Sequence, residues 1–324
     1  MELFEEQPEV KSFDLETVKN PARALTRRRL LAALVLPTAL LTAYGGSNEA
    51  RTASPEPIAK SLIDGDTLVP TIKETEAFTD TVEGLRDPAV LHRAEQIIST
   101  FENSTTEIQY DYAEELDDGR GITAGRAGFT SETGDLLLVV QAYADMGNED
   151  SELVTRYLPI LKAIENGDED AAEDLGGFIE VWKEAAKEQD LRDAQDLVYK
   201  QLYLEPALKR ADDVGVKTAL GQTIILDTII QHGEGDDVDG LPSIMDEAKK
   251  KAGTPENQEE KWLNVFLDIR KNHLLHAADP ETRHAWMDSV DRVEALRSIL
   301  ATKNMSLTPP ITWTVYGDPF SITE

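Results

Sequence analysis

The sequence contains no cysteine among its 324 residues. Disulfide bonds, zinc–thiolate sites and thiol nucleophiles are therefore excluded. Histidine is scarce as well, with five in the chain, and only His273 and His276 have a three-residue spacing that could present two ligands on one helical face. No nearby pattern completes such a set, so packing or surface roles are expected for both, and no metal or organic cofactor is expected.

Basic residues are few: 32 lysines and arginines stand against 62 aspartates and glutamates, which gives a formal net charge of -30. Such a surface repels nucleic acids and anionic membranes and attracts cationic ligands. Solubility or adaptation to salt would explain the same charge, so the charge alone names no partner. Hydrophobic residues make up 40% of the chain, which is too many for a disordered protein.

The apolar run over residues 30–41 is too short to span a bilayer comfortably. Arginines at positions 27–29 precede it and small residues follow it, which is the order typical of a signal peptide. The paired arginines after Thr26 resemble a twin-arginine export signal. Tyr44 stands where a lipoprotein would carry its lipidated cysteine, so we expect secretion without stable membrane association. An uncleaved membrane anchor is the alternative.

Composition divides the chain into four segments. Residues 1–24 form an acidic N-terminal extension, residues 25–47 the signal peptide, residues 48–85 a linker or pro-region, and residues 86–324 the folded domain. The linker is inferred from its mixture of proline, serine, threonine and acidic residues.

Helical periodicity begins at Asp87, where apolar residues recur at three- and four-residue steps up to Phe101. Glu102 follows at the edge of this stripe and near the helix end, so its carboxyl group is expected to be partly desolvated. Further helices are predicted over residues 151–165, 178–198, 205–232, 242–251, 258–277 and 284–302. The proline- and aromatic-rich segment 306–324 is predicted to be irregular chain lying over the helices.

The segment between Glu102 and Asp135 contains glycines at positions 119, 121, 125 and 128. No helix tolerates so many, and the segment is predicted to form short antiparallel strands and tight turns. The expected fold class is therefore mainly α (α+β), with one small β region after the first helix of the folded domain.

Lysozyme-like glycosidases place two carboxylates at one glycosidic bond. One is a glutamate at the end of a helix, and the other is an aspartate in the β element that follows. Taken alone the pattern is weak in so acidic a chain. However, the string FENSTTEIQYDYAEELDDGRGITAGRAGFTSETGD resembles the signature segment of the chitosanases of glycoside hydrolase family 46. Four further blocks match the family in order, namely ALGQTIILDTIIQHG, WLNVFLDIRK, DRVE and LTPPITWTVYGDP, so the resemblance covers nearly all of residues 87–324.

The resemblance implies a lysozyme-like fold of two helical lobes with an active-site cleft between them. It implies endo-acting hydrolysis of the β-1,4 linkages of chitosan, a cationic polymer of glucosamine, with inversion at the anomeric carbon. In this family pattern Glu102 is the general acid, Asp118 is the general base and Thr123 helps to hold the attacking water. Turn initiation is the alternative explanation for Asp118 and its neighbour Asp117.

The resemblance also implies a buried polar network around the acid and a set of sugar-binding residues. The network consists of Asp227, Arg270 and Arg292, for which a purely structural ion pair is the alternative. The expected substrate-binding residues are Asp135, which would recognise a glucosamine amine, and Tyr112, Arg120 and His232, which would line the sugar subsites. Three tryptophans fit the core better than a sugar platform, namely Trp182, Trp262 and Trp313.

Two other functions compete with this interpretation. A lysozyme-like glycosidase acting on chitin or peptidoglycan would keep Glu102 but would not need acidic subsites. A non-catalytic, secreted polycation-binding protein would not need the carboxylate pair, and retention of both Glu102 and Asp118 argues against it. Chitosan is the expected partner, no nucleic acid is expected to bind, and the protein is expected to be a monomer.

Overall fold

The computed structural model describes residues 84–115 and 121–324. These residues form two compact units: Tyr110–Gln201 make up one, and residues 84–109 with Leu202–Glu324 make up the other. Both units are mainly helical, so the expected fold class is confirmed. Within the described ranges, no helix combines the length and the apolar character needed to cross a membrane. The signal peptide and all of the linker except its last two residues lie outside the described part. Those two residues, Gly84 and Leu85, are buried in a short helical turn.

The first helix, α1, spans Pro88–Asn103 and carries Glu102 in its last turn. It begins where expected, because the Asp87 carboxylate accepts hydrogen bonds from the amides of Ala89 and Val90, and a proline at the first position fits the helix geometry. The predicted apolar stripe is buried, from Ala94 to Phe101. A short helical turn, Gly84–Arg86, precedes α1.

The unit Tyr110–Gln201 begins with the predicted β region. Strands β1 (Ala113–Glu115), β2 (Ile122–Ala124) and β3 (Phe129–Thr130) form one antiparallel sheet in the order β1-β2-β3. The helices α2 (Asp135–Tyr143), α3 (Leu158–Glu165), α4 (Phe178–Ala185) and α5 (Gln189–Tyr199) follow, with helical turns at Ala144–Asn148, Leu153–Tyr157 and Glu169–Leu175. The antiparallel strands expected between Glu102 and Asp135 are therefore confirmed.

One buried side chain of α5 links the segment that enters β1 to the segment that leaves β2, at the same end of this antiparallel pair. The Gln195 amide nitrogen donates to the carbonyl of Tyr110, which precedes β1, at 3.1 Å. Its oxygen accepts from the amide of Arg126, which follows β2, at 2.9 Å. Trp182 of α4 is fully buried and its indole nitrogen also donates to the Tyr110 carbonyl. This β region is thus fixed to the helices by specific hydrogen bonds as well as by apolar contact.

Replacing Gly125 by alanine is expected to destabilise this region. Gly125 has a φ of +76°, and a Cβ there would lie 2.4 Å from the Gln195 side-chain oxygen and 2.9 Å from the Trp182 ring. Gly147→Ala is the matched control, because Gly147 has a φ of +98° with open space around it. Gly125→Ala should lower the free energy of unfolding by about 1–3 kcal/mol more than the control, measured by urea denaturation. Equal losses would show that only the backbone conformation matters.

A helical turn over Lys200–Leu204 contains the boundary at Gln201, and the second unit continues with six helices. These are α6 (Glu205–Val214), α7 (Ala219–His232), α8 (Leu241–Ala252), α9 (Glu259–Leu275), α10 (Pro280–Asp288) and α11 (Val290–Ala301). Helix α7 is buried along almost its whole length and around its whole circumference. It therefore forms the centre of this unit's core, and its polar residues have no access to solvent.

Three helices predicted as continuous are each interrupted. The segment 205–232 breaks between α6 and α7, because Gly215 ends α6 with a φ of 90° and the Thr218 hydroxyl caps the start of α7. The segment 178–198 breaks between α4 and α5, where Glu188 is extended. The segment 284–302 breaks at Ser289, which separates α10 from α11.

The C-terminal segment was predicted to be irregular, and this prediction is wrong: the segment forms a β-hairpin. Strands β4 (Ile311–Val315) and β5 (Asp318–Ile322) pair antiparallel across a two-residue turn at Tyr316 and Gly317. Both turn residues have positive φ angles, 53° and 88°, which suits the tight hairpin turn. The buried Trp313 of β4 donates from its indole nitrogen to the Thr100 hydroxyl of α1 at 3.0 Å, so the hairpin is attached to the helix that carries Glu102. The expected core positions of Trp182, Trp262 and Trp313 are confirmed.

Candidate active site

The Glu102 carboxylate is held in one orientation by an arginine. Its side chain is 26% exposed, and its Oε1 atom accepts a hydrogen bond from Arg292 Nη2 at 2.7 Å. No hydrogen bond to Oε2 is found among the described residues. The protein therefore fixes one oxygen of the acid group, Oε1.

Arg292 belongs to a fully buried ionic network that also contains Asp227 and Arg270, and these three residues lie on three helices other than α1. The same Arg292 Nη2 atom also donates to Asp227 Oδ1 at 2.6 Å, and Arg270 Nη1 donates to Asp227 Oδ2 at 2.5 Å. The side chains of Asp227, Arg270 and Arg292 have no exposed surface. The structure thus brings together Glu102 and all three network residues that the resemblance implied, on α1, α7, α9 and α11.

The charges in this network counteract the cost of burial. Burial alone would raise the pKa of Asp227, but Arg270 and Arg292 outweigh it and the pKa is lowered from its ordinary value. Burial alone would lower the pKa of Arg292, but Asp227 and Glu102 outweigh it and the pKa is raised. Asp227 and Arg292 are therefore charged throughout the neutral and mildly acidic range.

Arg270 is also held by a residue that the sequence analysis did not identify. Gln231 accepts from Arg270 Nη2 at 2.6 Å and donates from its Nε2 to the Ser289 hydroxyl, also at 2.6 Å. Gln231 and Asp227 lie four residues apart in a helix whose other residues are mostly apolar. That spacing places the two polar side chains on one face and could have indicated a shared partner.

Tyr316 is a second residue that the analysis did not identify. It lies in the hairpin turn, and its buried hydroxyl has no hydrogen-bond partner among the described residues. Burial raises the pKa of Tyr316 to about 12, with Arg292 lowering it and Glu102 raising it. The tyrosine is therefore neutral and lies within electrostatic range of the network. The family string WTVYGDP contained it, but gave no reason to single it out.

His232, expected to line a sugar subsite, lies beneath the surface. Its Nδ1 atom is 2.8 Å from the Asp239 carbonyl oxygen, and its ring contacts Trp286 edge-on at a centroid distance of 4.7 Å. Burial lowers the pKa of His232 well below its ordinary value, with the charge of Arg270 acting in the same direction. In this structure the neutral imidazole supports the fold, and its contact with sugar stays a prediction.

The two histidines considered as ligands have different environments. His273 is mostly buried, with its Nδ1 atom 2.8 Å from Asp239 and its Nε2 atom 3.2 Å from Glu247. His276 is exposed, directly follows α9 and contacts the carbonyl of Asn272 in the last turn of that helix. His273 thus fixes the loop between α7 and α8 through Asp239, whose side chain also accepts from the amide of Ala278.

The buried, neutral His232 is expected to make stability depend on pH. The unfolded chain takes up a proton near the ordinary pKa of 6.5, whereas the folded protein does not. The stabilising contribution of neutral His232 is therefore fully present above that pH. It is lost as the pH falls below it, by up to about 1.4 kcal/mol per pH unit for one proton. The free energy of unfolding, measured by urea denaturation between pH 7.5 and 5, should fall less steeply with decreasing pH for His232→Gln than for the exposed control His92→Gln. Equal slopes would contradict the assignment.

The remaining predicted residues belong to the other unit. Thr123 lies in β2, fully buried, and its hydroxyl has no hydrogen-bond partner among the described residues. Tyr112 precedes β1 and is partly exposed, with its hydroxyl 3.0 Å from Glu114. Asp118, Asp117 and Arg120 fall in the connection between β1 and β2 that lies outside the described residues, so their roles stay predictions.

Asp135, expected to recognise a glucosamine amine, is the first residue of α2 and has no exposed surface. Its Oδ1 atom accepts from the amide of Thr130 at 2.7 Å and from the hydroxyl of Thr133 at 2.8 Å. This carboxylate therefore holds the turn between β3 and α2. Recognition of the amine stays a prediction.

Comparison with known proteins gives a consistent result. Residues 96–311 match the sequence profile of glycosyl hydrolase family 46. A chitosanase of Bacillus subtilis (strain 168) is 47% identical over 222 residues, which cover 68% of this chain and 79% of that protein. A mutant chitosanase of Bacillus subtilis MY002 complexed with 6 GlcN has a similar structure, with a TM-score of 0.66 and 44% identity over 73% of this chain and 99% of that one.

A third relative comes from another genus. The family 46 chitosanase of Gynuella sunshinyii, solved in complex with chitotetraose, is 42% identical to this chain. The match covers 76% of this chain and 100% of that one, with a TM-score of 0.65. The similarity therefore extends over the described units and beyond any single block of residues.

Proposed function

The chain belongs to glycosyl hydrolase family 46 and is a chitosan-hydrolysing enzyme, and on that basis we propose that it cleaves internal β-1,4 linkages with inversion. Glu102 is the general acid and Asp118 the general base. The observation that carries the proposal is the contact between Glu102 and the buried Arg292, which fixes Oε1 and leaves Oε2 for the proton that must be delivered.

The reaction is a single displacement. Glu102 donates its proton to the glycosidic oxygen as the bond from that oxygen to the anomeric carbon breaks. A water molecule attacks the same carbon from the opposite face of the sugar and gives its proton to Asp118. The products are a shortened chain with a free 4-hydroxyl group and a new reducing end in the α configuration. The proton taken by Asp118 and the proton lost by Glu102 are then exchanged with solvent.

Thr123 has a supporting role in this proposal. Its hydroxyl is buried in β2 and can both donate and accept a hydrogen bond. In the sequence it lies five positions after Asp118. A water molecule held between the two would have its lone pair directed by the threonine and its proton directed to the carboxylate. No cofactor takes part in any step.

The mechanism is tested by following the first products on fully deacetylated chitosan. Proton NMR of the early reaction should detect the α-anomer before mutarotation, and sizing of the fragments should show a rapid fall in polymer length before small oligomers accumulate. An initial β-anomer would replace inversion with retention. Activity on N-acetylated chitin oligomers equal to that on chitosan would favour the chitin- or peptidoglycan-cleaving alternative, and binding without cleavage would favour the polycation-binding alternative.

Substrate attraction is proposed to depend on charge. Below the pKa of its amines chitosan is a polycation, and the chain carries a net charge of -30. Each exposed ion pair adds about 0–1 kcal/mol, so several subsites must share the binding. Added sodium chloride should therefore raise KM for chitosan steadily, because salt screens such pairs. A KM that is unchanged between low and high ionic strength would show that charge does not select the substrate.

We also propose that the enzyme is exported and released. The twin-arginine-like sequence and short apolar run at residues 25–47 support this, because chitosan is a polymer too large to enter a cell. Mass spectrometry of protein recovered from the culture medium should find an N-terminus that lies after this segment. Recovery of a chain that still contains Arg27 would contradict cleavage.

A further inference from the structure

We propose that Gln231 is a positioning residue for the acid: by holding Arg270, it keeps the Asp227 carboxylate divided between Arg270 and Arg292. The inference rests on the proposed role of Glu102 and extends the network beyond the residues that the family pattern implied. All of the residues involved lie in one compact unit, and all of their side chains except that of Glu102 are buried.

The geometry of Arg270 is set by two acceptors on one helix. Asp227 and Gln231 lie one turn apart on α7, so their side chains are presented side by side. The planar guanidinium of Arg270 meets both, with Nη1 on Asp227 Oδ2 at 2.5 Å and Nη2 on Gln231 Oε1 at 2.6 Å. Because Gln231 occupies Nη2, Arg270 contacts only one carboxylate oxygen of Asp227.

The orientation of the Gln231 amide is itself fixed. Its Nε2 atom donates to the Ser289 hydroxyl at 2.6 Å, and that hydroxyl donates onward to the Trp286 carbonyl at 2.7 Å. A flipped amide would place two donors, the amide nitrogen and the Arg270 guanidinium, against each other. The residue between α10 and α11 therefore determines which end of Gln231 faces Arg270. Gln231 and Ser289 are each 1% exposed, so a partner that is lost here leaves a buried polar group unpaired.

The other oxygen of Asp227 is consequently available to Arg292. A single nitrogen, Arg292 Nη2, donates to both Asp227 Oδ1 and Glu102 Oε1. The negative charge of Asp227 at this nitrogen offsets part of the positive charge that Glu102 would otherwise face alone. An acid that must hold its proton before catalysis requires such an offset, because an uncompensated arginine favours the ionised form.

Without the Gln231 oxygen, Arg270 Nη2 has Asp227 as its remaining partner: it already lies 3.5 Å from the Asp227 backbone oxygen. The guanidinium would turn to take both carboxylate oxygens, as arginine–carboxylate pairs commonly do. Arg292 would then direct its whole charge at Glu102, because Asp227 would no longer share its Nη2 atom. Tyr316 and His232, two further titratable groups that interact with both arginines, are not altered by the substitution.

The test compares two substitutions of Gln231 that act in opposite directions. Gln231→Met keeps the length but removes the acceptor, and should lower kcat by about 10- to 100-fold with little change in KM, since small misplacement of catalytic groups has such effects. It should also move the alkaline limb of the pH profile of kcat to lower pH. Gln231→Glu keeps an oxygen on Arg270 and adds negative charge. Its kcat should therefore be close to the wild-type value, and the alkaline limb of its pH profile should move to higher pH.

Gln222→Met is the matched control. Gln222 lies on the same helix and is also buried, and its oxygen accepts from the amide of Leu85 at 2.7 Å, so it loses a comparable hydrogen bond away from the network. It should lose stability but keep kcat and the pH profile. Shifts of the same sign in both Gln231 variants, or a kcat of Gln231→Met equal to that of the control, would overturn the inference. Failure of the acid assignment is recognised separately, by retained activity in Glu102→Gln.

Discussion

Glu102→Gln should lose at least about 10²–10⁴-fold in kcat on chitosan while still binding glucosamine oligomers. Glutamine keeps the size of the side chain and can still accept from Arg292, but it cannot deliver a proton to the leaving oxygen. Rates are measured as new reducing ends, and binding of a glucosamine hexamer is measured by calorimetry. Glu107→Gln is the control, because Glu107 is exposed and lies close by in the chain.

Asp118→Asn should give a comparable loss, since asparagine cannot accept the proton of the attacking water. Its neighbour provides the control: Asp117→Asn changes the charge equally but is expected to keep most of the activity. If Asp117→Asn were the inactive variant, the base would have to be reassigned. A wild-type kcat in Glu102→Gln would show that Glu102 is not the general acid.

Asp227→Asn should lower the free energy of unfolding by about 3–5 kcal/mol, the usual cost of removing one partner from a buried ion pair. Asp227 is the shared partner of Arg270 and Arg292, and both arginines would remain buried with only Glu102 as a carboxylate partner in the network. The variant should also have a lower kcat, because Arg292 would no longer be shared between Asp227 and Glu102. Both quantities are measured on the same preparation, by urea denaturation and by the reducing-end assay.

The control for this change is Asp268→Asn. Asp268 is 61% exposed and pairs with Arg297, so its loss should cost about 0–1 kcal/mol and leave kcat unchanged. The difference between the variants should also depend on pH. The lowered pKa of Asp227 means that its stabilising effect is complete above its ordinary pKa of 3.8 and is lost as the pH falls below it. Equal stability losses at pH 6 would show that the buried pair contributes no more than a surface one.

The sequence predicted the local features well. The start of α1 could be read from Asp87 and Pro88, because capping and proline preference act over a few residues. The glycine-rich β region followed from the same kind of local rule. The positions of Glu102, Asp227, Arg270 and Arg292 came from the family resemblance, since no periodicity in the sequence links residues 190 positions apart.

The errors arose where local signals conflicted. The C-terminal hairpin was missed because its prolines were given more weight than the alternation of Ile311, Trp313 and Val315 with threonines, although that alternation is the pattern of a half-buried strand. The break at Gly215 was missed because the residues on both sides of it, in α6 and in α7, are compatible with a helix. Gln231 was missed because its partners come from α9 and from the junction at Ser289, which are distant in the sequence.

The attachment of the hairpin to α1 determines when during synthesis this protein can first become active. The helix that carries Glu102 is among the first elements of the described chain to be made, yet the tryptophan bonded to it follows more than two hundred residues later. A nascent polypeptide that has not reached Trp313 in β4 lacks that support, and so does a product of termination before this residue. We therefore expect catalytic competence only after nearly the whole described chain has been translated, and we expect chains that end before Trp313 to be inactive.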